Sequence, residues 1–374
     1  MLKGIHLTLM IGPAVPVVAP KVVVDSLESV QVNSSKDRSG FQLTFNVSKN
    51  SPLLTSMLPG GYFDPIITRV CIVVTLNGVP NVLMDGIITR QEISPSDAPG
   101  QSKLTVTGED LSVLMDILQI KIPYPAMPVI AQINLILLKY LVFGVVPIVI
   151  PPLIPTMPIP TNKFKTQTGT DRQHIRQLAA TAGYVFYVEP GPAPLTSIAY
   201  FGPDVRIPIP QPALNINMDA HTNVQSLTFS LDALAKKIVV MMILDPITGK
   251  IPIPIPLPNI SILHPPLGKR LTPPARIEFP SKLSKLKPDE AAEQALGLLL
   301  ENPDAVTGSG SLDVLRYGRI LRSRQLVGVR GAGVAYDGLY YVNSVTHNLK
   351  RGEYKQSFSL SRDGLISLTQ QVPT

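Results

Sequence analysis

Residues 338–362, GLYYVNSVTHNLKRGEYKQSFSLSR, read as two β-strands joined by a tight turn. Successive side chains of a strand leave on opposite faces. Leu339, Tyr341, Val345 and Leu349 then share one face with His347, and Asn343 is the polar exception. In the second strand Tyr354, Phe358 and Leu360 take one face, and Lys355, Ser357, Ser359 and Ser361 the other. Lys350-Arg351-Gly352 supplies the bend, with Gly where a short loop needs a positive φ. His347 therefore points with the apolar side chains. The other histidines, at 6, 174, 221 and 264, offer no HxH, HExxH or Cys-His spacing. His347 reads as a packed, hydrogen-bonded residue of a closing hairpin.

Working outward, the composition describes a chain that must hide surface. Of 374 residues 45% are hydrophobic and only 16% charged, against ~25% charged in an ordinary soluble protein. Proline, at 38 residues, is too frequent for a mostly helical membrane protein. Contact with other subunits is the natural cover for so apolar a chain. One cysteine, Cys71, excludes an intrachain disulfide framework and a cysteine zinc site. It lies in the strand-like run RVCIVVTL and reads as a buried thiol.

Two segments imitate membrane signals. MLKGIHLTLMIGPAVPVVAP is cut by Pro13 and Pro16, and no A-x-A site follows; it reads as a first strand and an extended Pro segment. Residues 129–150, VIAQINLILLKYLVFGVVPIVI, are long enough to span a bilayer. Gln132, Asn134 and Lys139 interrupt the run, however, so a buried helix to about Tyr140 followed by extended chain is expected.

From Pro20 to about Ser112 the pattern is β: SGFQLTFNV, RVCIVVTL, VLMDGIITR and KLTVTGED, separated by turn residues. Residues 113–200 change character. There TGTDRQHIRQLAATAGYVFYVEP gives a helix capped by Thr170 or Asp171 and stopped at Gly183, followed by a strand. Arg172 and His174, in its first turns, are expected to face solvent. From about 201 the strands return, with one helix in KPDEAAEQALGLLLEN. The IPIPQP (207–212) and IPIPIPLP (251–258) segments lack N–H donors and belong at sheet edges or on extended arms.

Catalytic patterns are missing. GVRGAGVAYDG is a partial glycine loop without a βαβ unit and reads as a turn. No GxSxG elbow occurs. Asp85 and Glu109-Asp110 are the remaining carboxylates for a glycan-cleaving site, but neighbours in a strand point apart and Asp110 precedes a helical run as a cap. The net charge of +7 is partly gathered in Arg316, Arg319, Arg322, Arg324 and Arg330. Their alternation suggests strands with basic faces, which suit an acidic partner or a positively lined passage as well as nucleic acid. No catalytic, cofactor-binding or metal-binding residue is expected.

GIHLTLMIGPAVP, VLMDGIIT…KLTVTGEDLSVLMD, IRQLAATAGYVFYVEPGPAP and SLDVLRYGRILRSRQLVGVRGAGVAYDGLYYVNSVTHNLKRGEYKQSFSLSR together resemble the phage late control D family. These are hub proteins of contractile phage tails and of extracellular contractile injection systems. The resemblance covers most of the chain in the same order. It implies a mainly β fold with an α/β insertion: a tube-like antiparallel β-barrel domain at 1–112, the insertion at 113–200, and a second tube-like barrel at 201–374 with a helix at 288–300. It also implies a homotrimer whose six barrels match a six-fold inner tube above and a three-fold spike below, among other baseplate components. Because the chain stops at Thr374 without repeats, a separate spike protein is expected. The single cysteine suits assembly in a reducing bacterial cytoplasm, and no small-molecule substrate and no cofactor are expected. The rival readings are a peptidoglycan hydrolase on a β scaffold and a membrane-anchored β protein.

Overall fold

The computed structural model describes residues 4–36, 38–97, 101–125, 127–152, 165–204, 206, 209–244, 252–256, 265–279 and 303–369. Its centre is one mainly antiparallel sheet of 13 strands. Leu27–Ser35 pairs with Gly40–Val47, which pairs with Ser102–Asp110 and, through it, with Val79–Ser94. Thr68–Leu76, Ile5–Pro13 and the short Val17–Val18 complete that side. On the other edge of Leu27–Ser35 lies Gly338–Lys350, followed by Glu353–Arg362, Val306–Asp313 and Val224–Leu231. Leu326–Arg330 also pairs with Gly338–Lys350 and takes Gln211–Asn215 as a parallel neighbour.

The alternation seen in the sequence explains the strands. Phe41, Leu43, Phe45 and Val47 are all buried, while Gln42 and Asn46 are exposed. The two β regions are not separately closed barrels. Among the described residues the ladders form one open sheet, joined where 344–350 pairs with 29–35. The backbone groups along Leu27–Ser35 need partners, and the distant hairpin supplies them. Both regions consequently contribute to one core, with Leu43, Phe45, Ile72 and Val106 from the first and Val306, Tyr340, Phe358 and Leu360 from the second.

The closing hairpin is as expected in its turn and different in its facing. Lys350 pairs with Glu353, and Gly352 carries a φ of 78°. Val342 opposes Leu360 but Ser344 opposes Ser359, so Asn343 is an inserted residue. A one-residue bulge flips everything beyond it. Tyr340 and Val342 therefore share the core with Val345 and Leu349, whereas Tyr341 is buried on the other side. The expected single face of Leu339, Tyr341, Val345 and Leu349 is corrected accordingly.

Packing in the first region is close where the Phe41 ring lies over Gly108. A Cβ at Gly108 would stand 2.3 Å from the Ile87 carbonyl oxygen and 2.3 Å from the ring. Gly108→Ala should thus destabilise by about 1–3 kcal/mol, the usual effect of overpacking. A lower urea midpoint at constant slope is the expected reading; an unchanged midpoint would contradict this ring placement.

The α/β part has its own core. Gln119–Tyr124 pairs with Lys165–Thr170, and Val145–Val149 lies parallel to Ser197–Gly202, which pairs with Val185–Pro190. Helices Val129–Leu138 and Asp171–Ala182 contribute Ile133, Ile136, Ile175 and Leu178 to the cluster with Phe186 and Phe201. The second helix starts at Thr170, whose side chain accepts from the Gln173 N–H while Gln173 accepts from the Thr170 N–H, both at 3.2 Å. Gly183, at φ 67°, stops it. The segment at 129–150 is a helix followed by extended chain, as expected. No helix among the described residues is long and apolar enough to cross a membrane.

Three other expectations meet the structure differently or partly. Arg172 and His174 are buried rather than solvent-facing. Arg172 pairs with Asp116 at 2.9 Å, and His174 stacks on Tyr124 with centroids 5.6 Å apart. The arginine run is not a set of strands: Asp313 caps the one-turn helix Val314–Tyr317, Gly318 stops it at φ 79°, and only Arg330 sits on a strand. Pro252–Pro256 is an edge strand beside Lys237–Leu244, as its missing N–H groups require. Residues 207–208, 251 and 257–258, and the helix expected at 288–300, lie outside the described residues.

Candidate interaction surfaces

The residues considered for chemistry occupy structural positions. His347 is buried, and the Gln356 amide beside it is oriented by two bonds to Leu321. The Leu321 N–H donates to Gln356 Oε1 at 3.0 Å, and Nε2 donates to the Leu321 carbonyl at 2.8 Å. That orientation makes Nε2 also the donor to His347 Nδ1 at 3.2 Å. Nδ1 is therefore an acceptor, and the Tyr354 hydroxyl donates to it at 2.7 Å. The ring is the neutral Nε2–H tautomer. Burial, reinforced by Arg322, lowers its pKa to about 3.

Asp85 accepts two bonds from Arg69, at 2.7 and 2.6 Å, inside the protein. Ser197 Oγ donates to the same carboxylate at 3.3 Å, and Arg69 also donates to the Leu195 carbonyl at 3.1 Å. This pair thus ties the first β region to the α/β part. Asp110 accepts from the backbone of Ser112 and Ser39, which is the cap expected for the short helix Leu111–Asp116. Glu109, on the opposite face, lies 3.4 Å from Arg38. Gly331 and Gly333 form a turn between Leu326–Arg330 and Gly338–Lys350. Cys71 is buried, and burial pushes its thiol up to about 11. Among the described residues no group of three or more His, Cys, Asp and Glu is placed to hold a metal.

A second polar cluster, which the sequence did not reveal, gathers at the bulge. The Tyr341 hydroxyl donates to Asp204 at 2.6 Å, and Lys36 lies 3.1 Å from the same carboxylate. Arg324 covers the Tyr187 ring at 3.9 Å and pairs with Glu189 at 3.2 Å. Arg206 and Ser361 share Asp304, at 2.7 and 2.6 Å. All three parts of the chain meet in these contacts.

The feature with the greatest extent is the side of the sheet opposite the core. Thr228, Ser309, Ser359, Ser344 and Ser35 stand side by side across five strands. The next row is Ser226, Ser311, Ser357, Thr346 and Asn33. Beyond it come Asn348, Gln31, Gln42 and Thr107. Hydroxyls meet directly, Ser344 with Ser359 at 2.6 Å and Ser226 with Ser311 at 2.8 Å. Charges near one end of these strands occur as pairs, Lys103 with Glu28 and Arg90 with Glu92. At that end a groove of about 490 Å³ opens beside the hairpin turn, with Ile5, Leu7 and Leu315 in its wall. The face is polar, almost uncharged in its middle, and continuous across the junction of the two β regions.

No protein-family model matches the sequence, and neither does any curated protein. Solved structures do. A tail protein from Neisseria meningitidis, 14% identical, superposes with a TM-score of 0.63 over 97% of this chain and 98% of that one. The 43 kDa tail protein of prophage MuSo2 from Shewanella oneidensis, 11% identical, gives 0.64 over 97% and 100%.

This chain has the fold of phage tail proteins.

A component of the E. coli type VI secretion system, itself structurally similar to T4 bacteriophage tail proteins gp27 and gp5, is 11% identical. It superposes at 0.50 over 93% of this chain and 76% of that one.

Proposed function

We propose that this chain is the structural baseplate hub of a phage tail-like contractile injection system. Three copies form a ring that adapts a six-fold inner tube to a three-fold spike. The observation that carries this reading is the hydroxyl- and amide-lined face running unbroken from one β region into the other. A wall of that kind stays hydrated, presents no apolar patch to adhere to, and suits the inside of a passage. The tail-protein fold supports the same conclusion. Each chain contributes two tube-like units, 1–112 and 201–374, and 113–200 is the insertion beside them. Six units from three chains match a six-fold partner.

In this reading the chain is not an enzyme, and its partners are further copies of itself, an inner-tube protein, a separate spike protein and other baseplate components. Assembly takes place in the bacterial cytoplasm. Light scattering of the purified chain together with its spike should give three copies of the hub. A monomer at every concentration, with spike present, would remove the proposal. Clearing of peptidoglycan in a zymogram would move the chain to the hydrolases.

A further inference from the structure

The arginine run at 314–325, VLRYGRILRSRQ, lies on the core side of the sheet. Gln356 opposes the core residue Leu312, and His347 opposes the core residue Val32, so both stand on that side. The Gln356 amide holds the backbone N–H and carbonyl of Leu321. Tyr317 and Leu321 enter the core itself. Leu315, Arg316, Arg319 and Arg322 are left exposed on the outside of this cover. The sheet separates them from its polar face, so these arginines do not line the proposed passage.

Their backbone is fixed on both sides of Leu321. Asp313 accepts from the Leu315 and Arg316 N–H groups at 2.9 and 3.1 Å. The Tyr317 hydroxyl donates to the Pro212 carbonyl at 2.6 Å. The Gln211 side chain accepts from the Arg322 N–H at 2.8 Å and donates to the Arg322 carbonyl at 2.9 Å. On this frame the Arg322 guanidinium reaches a neutral group, Asn81 Oδ1, at 3.0 Å. Among the described residues the Arg316 and Arg319 side chains have no hydrogen bond and no ion pair. Three like charges are thus held close together without a counter-charge from the fold. A guanidinium is a planar fork that takes a carboxylate or a phosphate.

The groove at the hairpin turn decides between those two. Ile5, Leu7, Val24, Leu27, Leu315 and Leu349 line it, and Leu315, 55% exposed, both faces the groove and precedes Arg316. On its rim Glu28 and Glu353 are taken by Lys103 and Lys355, while Asp25 and Lys350 have opposite signs. The charge left over there is that of Arg351, positive like the neighbouring loop. Nucleic acid would pair with the arginines and leave an apolar groove unfilled, and Tyr317 is too buried to stack on a base. A protein segment uses both features, since arginine and apolar anchors together characterise protein interfaces. We infer that this surface docks a segment of another protein in which carboxylates flank an apolar side chain. The apolar group enters the groove beside Leu315, and the carboxylates take Arg316 and Arg319. This contact goes beyond the hub reading, because it gives a partner chemistry to the side of the sheet away from the passage.

Fluorescence anisotropy tests the surface. The probe is a labelled peptide with one Leu flanked on both sides by Glu, titrated with the full chain. A peptide with Lys in place of Glu and a short DNA duplex are the comparisons. The Leu–Glu peptide should bind, more weakly as salt rises, and the Leu–Lys peptide should not. Arg316→Glu with Arg319→Glu should weaken binding by about tenfold or more, and Leu315→Ser should weaken it measurably. Lys49→Glu with Lys121→Glu makes the same change in net charge at exposed positions elsewhere and should leave binding unchanged. No binding of the Leu–Glu peptide, equal losses in the two double variants, or full binding by Leu315→Ser would overturn the inference. DNA bound in preference to the peptide, with the same dependence on Arg316 and Arg319, would replace it with a nucleic-acid contact. Light scattering of the arginine variant with spike present should still give three copies. The docking surface can thus fail while the hub reading stands.

Discussion

Asp85→Ala should lower the unfolding free energy by about 3–5 kcal/mol, because it leaves the Arg69 guanidinium buried without its counter-charge. The pair is almost fully enclosed, with side-chain exposures of 4% and 0%. Its effect should also spread. Arg69 holds the Leu195 carbonyl and Asp85 holds Ser197 Oγ, so the connection before Ser197–Gly202 loses two anchors at once. Urea unfolding should report the loss in stability, and amide hydrogen exchange should report faster opening around 191–197. Replacing both partners with apolar residues, Arg69→Met with Asp85→Leu, should recover most of the stability, since no uncompensated charge then stays inside. A loss below about 1 kcal/mol in Asp85→Ala would show that water reaches Arg69 and that the pair does not fasten the insertion.

Acid should weaken the chain through His347. In the folded protein the ring titrates near about 3, whereas its ordinary value is 6.5. The unfolded chain therefore takes up the proton first as pH falls. Stability from the neutral ring is complete above pH 6.5 and is lost progressively as pH drops toward the folded value, by up to about 1.4 kcal/mol per unit. At pH 4.5 the loss from this residue alone should be about 2–3 kcal/mol relative to neutral pH. His347→Gln should cost about 1–3 kcal/mol at pH 7 by disturbing the Tyr354 and Gln356 contacts. The same variant should flatten the dependence between pH 6.5 and 4.5. Equal slopes in wild type and variant would show that the ring is not the group responsible. Under the hub proposal, His347→Gln should still associate into three copies at a permissive temperature, as expected of a structural histidine.

Much of the local structure was legible in the residues. The alternation of SGFQLTFNV fixed which side chains face the core, and Thr170 with Gln173 and Gly183 marked both ends of a helix. Gly352 marked the hairpin turn, and Asp110 a cap. These signals act within a few residues, so neighbours in sequence carry them completely. The burial of His347 was also legible, since its place in the alternation after Asn343 is set by Val345 and Leu349.

The facing of Tyr341 was not legible, because nothing in NSV distinguishes a regular strand from one with an inserted Asn343 until Glu353–Arg362 imposes its register. The burial of Arg172 and His174 depended on Asp116, Tyr124 and Gln132, which arrive from other elements. The joining of two β regions into one sheet required Ser35 to meet Ser344 across most of the chain. Sequence by itself determined where strands and helices begin, end and turn their apolar sides, for those are settled by short-range sterics and hydrogen bonds. Only the tertiary structure decided which edges pair, in what register and around which buried charges. An unpaired edge carries the same N–H and C=O groups whatever its side chains, so its partner is selected by the packing of the whole core.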